Sequence, residues 1–285
     1  MCLLIALSRV IPDVPLLVAA NRDERYDRPA EAITVLRAGG PGGGRPRILG
    51  GRDEVAGGTW LAVNEHGVIA GLTNQPAGGH DPSRRSRGEL PLAFTAYPDA
   101  ATAVAAVCPR LHPADYNPCW LLVGDRHALF SIGLTGGDRA VAQELGPGRY
   151  VLENVPLSGQ SAKQQRIAAL VSERAGIPGQ EADGLAAVLR DHEPASGPRP
   201  GPAGRTRPAE LSAACVHTPG YGTRSAMIVS VTASGWPEIR VASGPPCRTP
   251  LRDVTGLWHP PAAAGAASPE TAAGSASDQG IREDC

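Results

Sequence analysis

Two stretches near the N-terminus decide the fold: Cys2-Leu3-Leu4-Ile5-Ala6-Leu7-Ser8, and Leu16-Leu17-Val18-Ala19-Ala20 running into Asn21-Arg22-Asp23-Glu24. Each begins as a short, mostly apolar run. A turn around Pro12-Asp13 separates them, which predicts two strands over 2–8 and 14–20 joined as a hairpin. Such a hairpin pins the start of the chain in a sheet, where termini ordinarily fray. Cys2 also carries chemistry. Cysteine is small enough for Met1 to be trimmed, leaving a thiol and a free α-amine on one residue. An α-amine titrates near ~7.7–8.0 and a thiol near ~8.5, so the amine can take the thiol's proton near neutral pH. Nucleophile and general base then share one residue. The end of the second strand lies beside the start of the first, so Asn21 to Glu24 reads either as a solvated turn after the strand or as a segment that brings Asp23 within reach of the Cys2 amine or thiol. A carboxylate there would hold the ammonium in place.

Further motifs follow in order. Gly57-Gly58-Thr59-Trp60 combines glycines that permit a tight turn or close backbone approach with an indole suited to core or pocket wall. Gly71-Leu72-Thr73-Asn74 is a strand ending in an amide, a turn former that can also donate to an oxyanion. Asn154 follows an apolar run and precedes a helix, so helix capping and oxyanion binding are both open to it. Arg224, in Tyr221-Gly222-Thr223-Arg224, opens an apolar strand and is read as either surface or site. Turn-separated strands are expected at 48–53, 57–63, 67–74, 119–124, 127–132, 225–232 and 237–242. Helices are expected within 88–107 and over 160–175 and 181–191. Strands first and last with helices between suggest sheets covered by helices. The Gly/Pro-rich 38–47 and 193–208 read as flexible loops, and the Ala/Gly/Ser/Pro tail from 260 to 285 as disordered. A single domain over 1–259 remains.

Composition narrows the function. The formal net charge is −1, which gives no electrostatic footprint for nucleic acid or an anionic membrane. Positive charge is nearly all arginine, Lys163 being the only lysine. With abundant Ala, Gly and Pro, this looks like a G+C-rich bacterial genome. The six cysteines (2, 108, 119, 215, 247 and 285) show no CxxC pair and no His/Cys spacing suited to zinc. No metal site is expected, and the scattered thiols suit a reducing cytoplasm. The N-terminal apolar run is broken by Arg9 and Pro12, so neither a signal peptide nor a membrane span is expected.

The ordered set of motifs resembles the NRDE family, also called the transport and Golgi organisation protein 2 family. Its hallmarks stand here as Met1-Cys2, Asn21 to Glu24, Gly51-Arg52-Asp53, Gly57 to Trp60, Leu72-Thr73-Asn74, Ser86-Arg87-Gly88-Glu89 and Tyr221 to Arg224. That family is similar to N-terminal nucleophile hydrolases, which implies an α+β, four-layer αββα sandwich of two antiparallel sheets. Its chemical relatives, penicillin V acylases and bile-salt hydrolases, cleave amides with an N-terminal cysteine. The resemblance implies Cys2 as nucleophile and base, with Asp23 holding the amine. Thr73-Asn74 and Asn154 would serve the oxyanion, and Arg224 would lie beside the thiol. Asn21, Arg22, Trp60 and Thr73 are the expected substrate-binding residues. Two departures stand out. Those hydrolases carry an arginine where this chain has Ala20, and Arg22 is expected on the opposite face of the extended segment. Asn117-Pro118-Cys119-Trp120 replaces a common Phe-Asn-Leu. Hydrolysis of a small-molecule amide needs no cofactor. The alternative on the same fold is a non-enzymatic carrier of haem or a lipid-like ligand, although the seven histidines are scattered and show no paired axial ligands.

Overall fold

The first strand is apolar on both faces because a layer packs on each side of it. Leu4 and Ala6 enter one core with Val18, Leu61, Ile69, Leu122 and Val229. Leu3, Ile5 and Leu7 enter another with Ile167, Val171, Leu185 and Leu189. In the computed structural model, residues 2–40, 44–75, 80–197 and 207–259 are described, Cys2 by its backbone alone. In chain order the elements begin β1 (Cys2–Ser8), β2 (Leu16–Arg25), β3 (Ala30–Arg37), β4 (Ile48–Asp53), β5 (Leu61–Asn64), β6 (Ile69–Asn74), α1 (Glu89–Phe94) and α2 (Ala100–Val107). Next come β7 (Cys119–Gly124), β8 (Leu129–Leu134), β9 (Val141–Leu145), β10 (Gly148–Leu152), α3 (Ala162–Arg174) and α4 (Glu181–Leu189). The last are β11 (His217–Thr218), β12 (Tyr221–Val231), β13 (Glu238–Ala242) and β14 (Arg252–Asp253).

One seven-stranded antiparallel sheet runs β10-β1-β2-β12-β13-β14, with β11 paired to β12. The other runs β3-β4-β5-β6-β7-β8-β9, also antiparallel. The outer face of the first sheet is covered by α3 and α4, that of the second by α1 and α2 through Leu90, Phe94, Ala103 and Val107. The result is the expected αββα sandwich.

Several local expectations shift. The segment Asn21 to Glu24 does not follow a strand but lies inside one, since β2 continues to Arg25 and pairs with β12 along its length. The helix expected within 88–107 is two helices, because Asp99 caps a new start: its carboxylate accepts the Thr102 N–H at 2.7 Å. The helix after Asn154 is capped by Ser161, in a reciprocal box with Gln164, so Asn154 is not its cap. The described ends of the two loop segments are tied down. Arg47 donates its N–H to Glu65 and its Nε to the Leu257 carbonyl, and Ala195 is buried with its N–H on Ser212 Oγ. The expected disordered tail at 260–285 lies outside the described residues, as do 41–43 and 198–206.

Candidate active site

Asn21, Arg22 and Asp23 are consecutive in a strand, so their side chains alternate between faces. Cys2 pairs in register with Arg22, and Leu3 with Asn21. Arg22 falls on the same face as Ala20, because a step of two along a strand returns to the same side. This corrects the expectation that it points away. Ala20 is buried in the core between the sheets, and Arg22, one step nearer the sheet end, walls a cleft of about 760 Å³. The Arg22 guanidinium lies 4.6 Å from the centre of the Trp60 ring and donates from Nη2 to Asp53 at 3.2 Å. It is 3% exposed, and its buried Nη1 has no hydrogen-bond partner among the described residues.

Asn21 faces the other way. Its Nδ2 donates to the carbonyls of Leu189 and Ala214, both at 2.9 Å, which ties β2 to the end of α4. It braces the strand and does not reach the cleft, contrary to the substrate-binding role expected of it.

Asp23 is fully buried at the end of β2. Thr223 Oγ1 donates to its Oδ1 at 2.6 Å, and Tyr221 Oη donates to its carbonyl at 2.9 Å. Burial pushes its carboxyl pKa up, and the Lys163 charge and Thr223 hydroxyl oppose that rise. Lys163 is 5% exposed on α3. Its Nζ donates to the Leu211 carbonyl at 3.3 Å, and it does not line the cleft.

Arg224 does not fulfil the expected role beside Cys2. The register between β2 and β12 breaks between Thr223 and Ser225, which leaves Arg224 as the unpaired residue of a bulge. Its Nη1 donates to the carbonyls of Arg25 (3.0 Å) and Tyr26, with the guanidinium over the Tyr26 ring. Within Tyr221 to Arg224 the residue that reaches the Asp23 carboxylate is Thr223.

Asp53 organises the opposite wall. Arg28 donates to it twice, at 2.7 and 3.1 Å, and the N–H groups of Val55 and Ala56 donate to Oδ1 at 3.1 and 2.9 Å. Burial acts to raise its pKa, but these donors and the charges of Arg28 and Arg22 win and lower it. Trp60 can stand here because a Cβ on Gly51 would sit 2.1 Å from its ring. Gly58 and Gly88 touch backbone to backbone, a Cβ on Gly58 meeting Gly88 at 2.6 Å, and Thr59 N–H donates to the Gly88 carbonyl at 2.9 Å. The Gly57 to Trp60 and Ser86 to Glu89 motifs thus form one joint.

Asn74 and Asn154 both line the cleft, and Asn154 Nδ2 donates to the Asn74 carbonyl. Thr73 is fully buried, paired with Trp120 in register, and its Oγ1 has no partner among the described residues. Among the described residues six arginines and three acids line the cleft; Arg25, Arg84 and Arg85 are paired with Asp27, Asp81 and Glu89 just outside it, and Arg22 and Arg28 share Asp53. A separate hollow of about 480 Å³ beside α1 and α2, walled by Leu90, Tyr97 and Tyr116, holds none of the expected site residues.

The structure of the mutant C2A conjugated bile acid hydrolase from Clostridium perfringens has a similar fold, with a TM-score of 0.51 at 9% identity. The match covers 89% of this chain and 96% of that one. In sequence, the chain is 32% identical to the Transport and Golgi organization protein 2 homolog of Bos taurus over 239 residues, 77% of this chain and 83% of that protein. The Homo sapiens homolog is also 32% identical, over 240 residues, with the same coverage. The family model described as Transport and Golgi organisation 2 matches residues 1–241, the span that builds both sheets up to β13 and every wall of the cleft, and the chain belongs to that family.

Proposed function

We propose that this chain is a cysteine N-terminal-nucleophile amidohydrolase acting on a small amide that carries an anionic group. The observation that carries the reading is the register. Cys2 opens β1 opposite Arg22, which walls the cleft together with Asp23, Asn74 and Asn154. A fold neighbour named as a conjugated bile acid hydrolase lends support of a weaker kind, since fold alone does not fix function.

With Met1 removed, the Cys2 α-amine takes the Sγ proton and the sulfur attacks the amide carbonyl. A C–S bond forms, and the carbonyl oxygen becomes an oxyanion. Asn154 Nδ2 keeps a second hydrogen beyond the one given to Asn74, and with the Asn74 amide it stabilises that charge. Asp23, held by Thr223, fixes the ammonium. The C–N bond then breaks as the ammonium returns its proton to the leaving amine. Water hydrolyses the thioester and restores the thiol. Arg22 supplies the cation that Ala20 lacks, on the same strand face, and favours the thiolate. Its Nη1, which has no hydrogen-bond partner among the described residues, is the donor for the substrate's anionic group.

The test is intact mass, followed by turnover on amides with charged and uncharged acyl groups, for wild type and Cys2→Ala. We expect a mature chain starting at Cys2, and a loss on the order of 10³-fold or more in the variant. A retained Met1 or equal turnover in the two proteins overturns the reading. The same arginines also suit a second reading, carriage of haem or a lipid-like anion without hydrolysis. A Soret shift on haem titration, with no turnover, selects it.

A further inference from the structure

Away from the cleft, the fold gathers two histidines and two cysteines that sequence spacing leaves apart. His192 follows the end of α4. Cys215 and His217 flank Val216 at the entry to the β11–β12 hairpin. Cys247 sits in the turn after β13, closed by Arg248 and Thr249 N–H groups on the Pro245 carbonyl. One ligand atom from each of the four lies within 4.8 Å of all the others. None of the four residues lines the cleft.

We propose that His192, Cys215, His217 and Cys247 bind one zinc ion at a closed, structural site. Two thiolates and two imidazoles are the donor set of tetrahedral structural zinc. Zn–S bonds of ~2.3 Å and Zn–N bonds of ~2.0–2.1 Å place nitrogen and sulfur roughly 3.5–3.6 Å apart along a tetrahedral edge. His217 Nε2 lies 3.3 Å from Cys247 Sγ and 3.7 Å from Cys215 Sγ, on either side of that value. The two imidazole centroids are 5.0 Å apart. His192 Nδ1 is 3.1 Å from the Cys215 carbonyl, which fixes the proton on Nδ1 and leaves Nε2 as the free donor atom. A backbone carbonyl that orients a ligating histidine in this way is the usual outer partner of a metal site. Both cysteines are free thiols. Binding Zn²⁺ releases two protons from them, and the two thiolates balance the ion's charge.

The position gives the ion a task. Val216, between two of the ligands, exchanges hydrogen bonds with Thr223: its N–H donates to Thr223 Oγ1 at 2.9 Å, and its carbonyl accepts the Thr223 N–H at 2.8 Å. Thr223 in turn holds Asp23. The ion joins the end of α4, the β11–β12 hairpin and the turn after β13, and so fixes the segment on which Thr223 rests. Four protein ligands leave no open position, so the role is structural.

The experiment uses the full chain, purified without a polyhistidine tag or chelator from zinc-supplemented medium. Bound metal is counted by mass spectrometry of the elements, and Co²⁺ is then exchanged in and followed by absorbance. We expect about one zinc per chain. Cobalt should give a thiolate charge-transfer band with the visible bands of a tetrahedral site. His192→Ala, at an exposed position, and Cys247→Ser should bind at least tenfold less metal, whereas Cys108→Ser keeps it. Chelation should lower the melting temperature of wild type and not of His192→Ala. Wild type with less than about a tenth of an equivalent of zinc and no cobalt spectrum overturns the proposal. So does a Cys215–Cys247 disulfide found by mass, or full metal content in both ligand variants. The cobalt spectrum of wild type stands even if Cys247→Ser fails to fold.

Discussion

Asp53 accepts five hydrogen bonds, three from guanidinium groups and two from backbone N–H groups, and so keeps Arg22 and Arg28 at the cleft wall. Hydrogen bonds to an ionised acceptor contribute a net ~1.5–3 kcal/mol each, more than neutral ones, so no neutral side chain replaces it at equal cost. Asp53→Asn should lower stability by roughly 1–2 kcal/mol at neutral pH. The sign with pH follows from the lowered carboxyl pKa. A carboxylate whose folded pKa lies below its ordinary 3.8 contributes stability above that value and loses it as pH falls through the folded pKa. Urea unfolding of both proteins at neutral pH and near pH ~3 should therefore show the gap closing in acid. A gap of the same size at both pH values would mean that the charge of Asp53 is not what holds the wall.

At the level of the element, β12 shows what a sequence can and cannot disclose. Its apolar residues marked a strand at 225–232, and β1, β7 and β13 were legible as strands for the same reason, since both of their faces meet a core. β9 is exposed at four of its five residues, so no burial pattern marks it, and β3 and β10 likewise lie at sheet edges. Asp23, Asn74, Asn154 and Trp60, singled out from the sequence, all line the one cleft. The site was misread at Arg224, because nothing in Tyr-Gly-Thr-Arg announces the bulge that turns this side chain out. The four residues proposed to bind zinc were invisible for a related reason: they come from three segments that only the fold brings together. Thr223 is the residue on β12 that matters, serving Asp23 and Val216 with one hydroxyl. Thr223→Val keeps the shape and leaves both buried groups without it, which should cost ~1–3 kcal/mol in urea unfolding. The rate at which iodoacetamide alkylates Cys2, read by peptide mass, should fall as well, and Thr223→Ser should restore most of both. Normal stability and alkylation in Thr223→Val would remove Thr223 from the site.

On the scale of the whole molecule, the cleft exists because two sheets meet at one end. Arg22 on β2 reaches Asp53 on β4, and Asn154, just past β10, reaches Asn74 on β6, so both bridges cross between sheets. The core between the sheets sets their separation, and with it the geometry of both bridges. The cores under the helices carry stability without setting that distance. Leu4, 1% exposed between the sheets, and Leu185, fully buried on the inner face of α4, separate the two contributions. Each truncation to alanine should cost about 2–5 kcal/mol, because a buried leucine leaves a cavity that closes only in part. Their effects on the site should differ. Leu4→Ala lets the sheets relax toward each other and should slow Cys2 alkylation well below the unfolding midpoint, whereas Leu185→Ala should leave that rate at the wild-type value. Equal effects on the rate would mean that global stability, and not the spacing of the sheets, governs how the N-terminal cysteine is presented to the cleft.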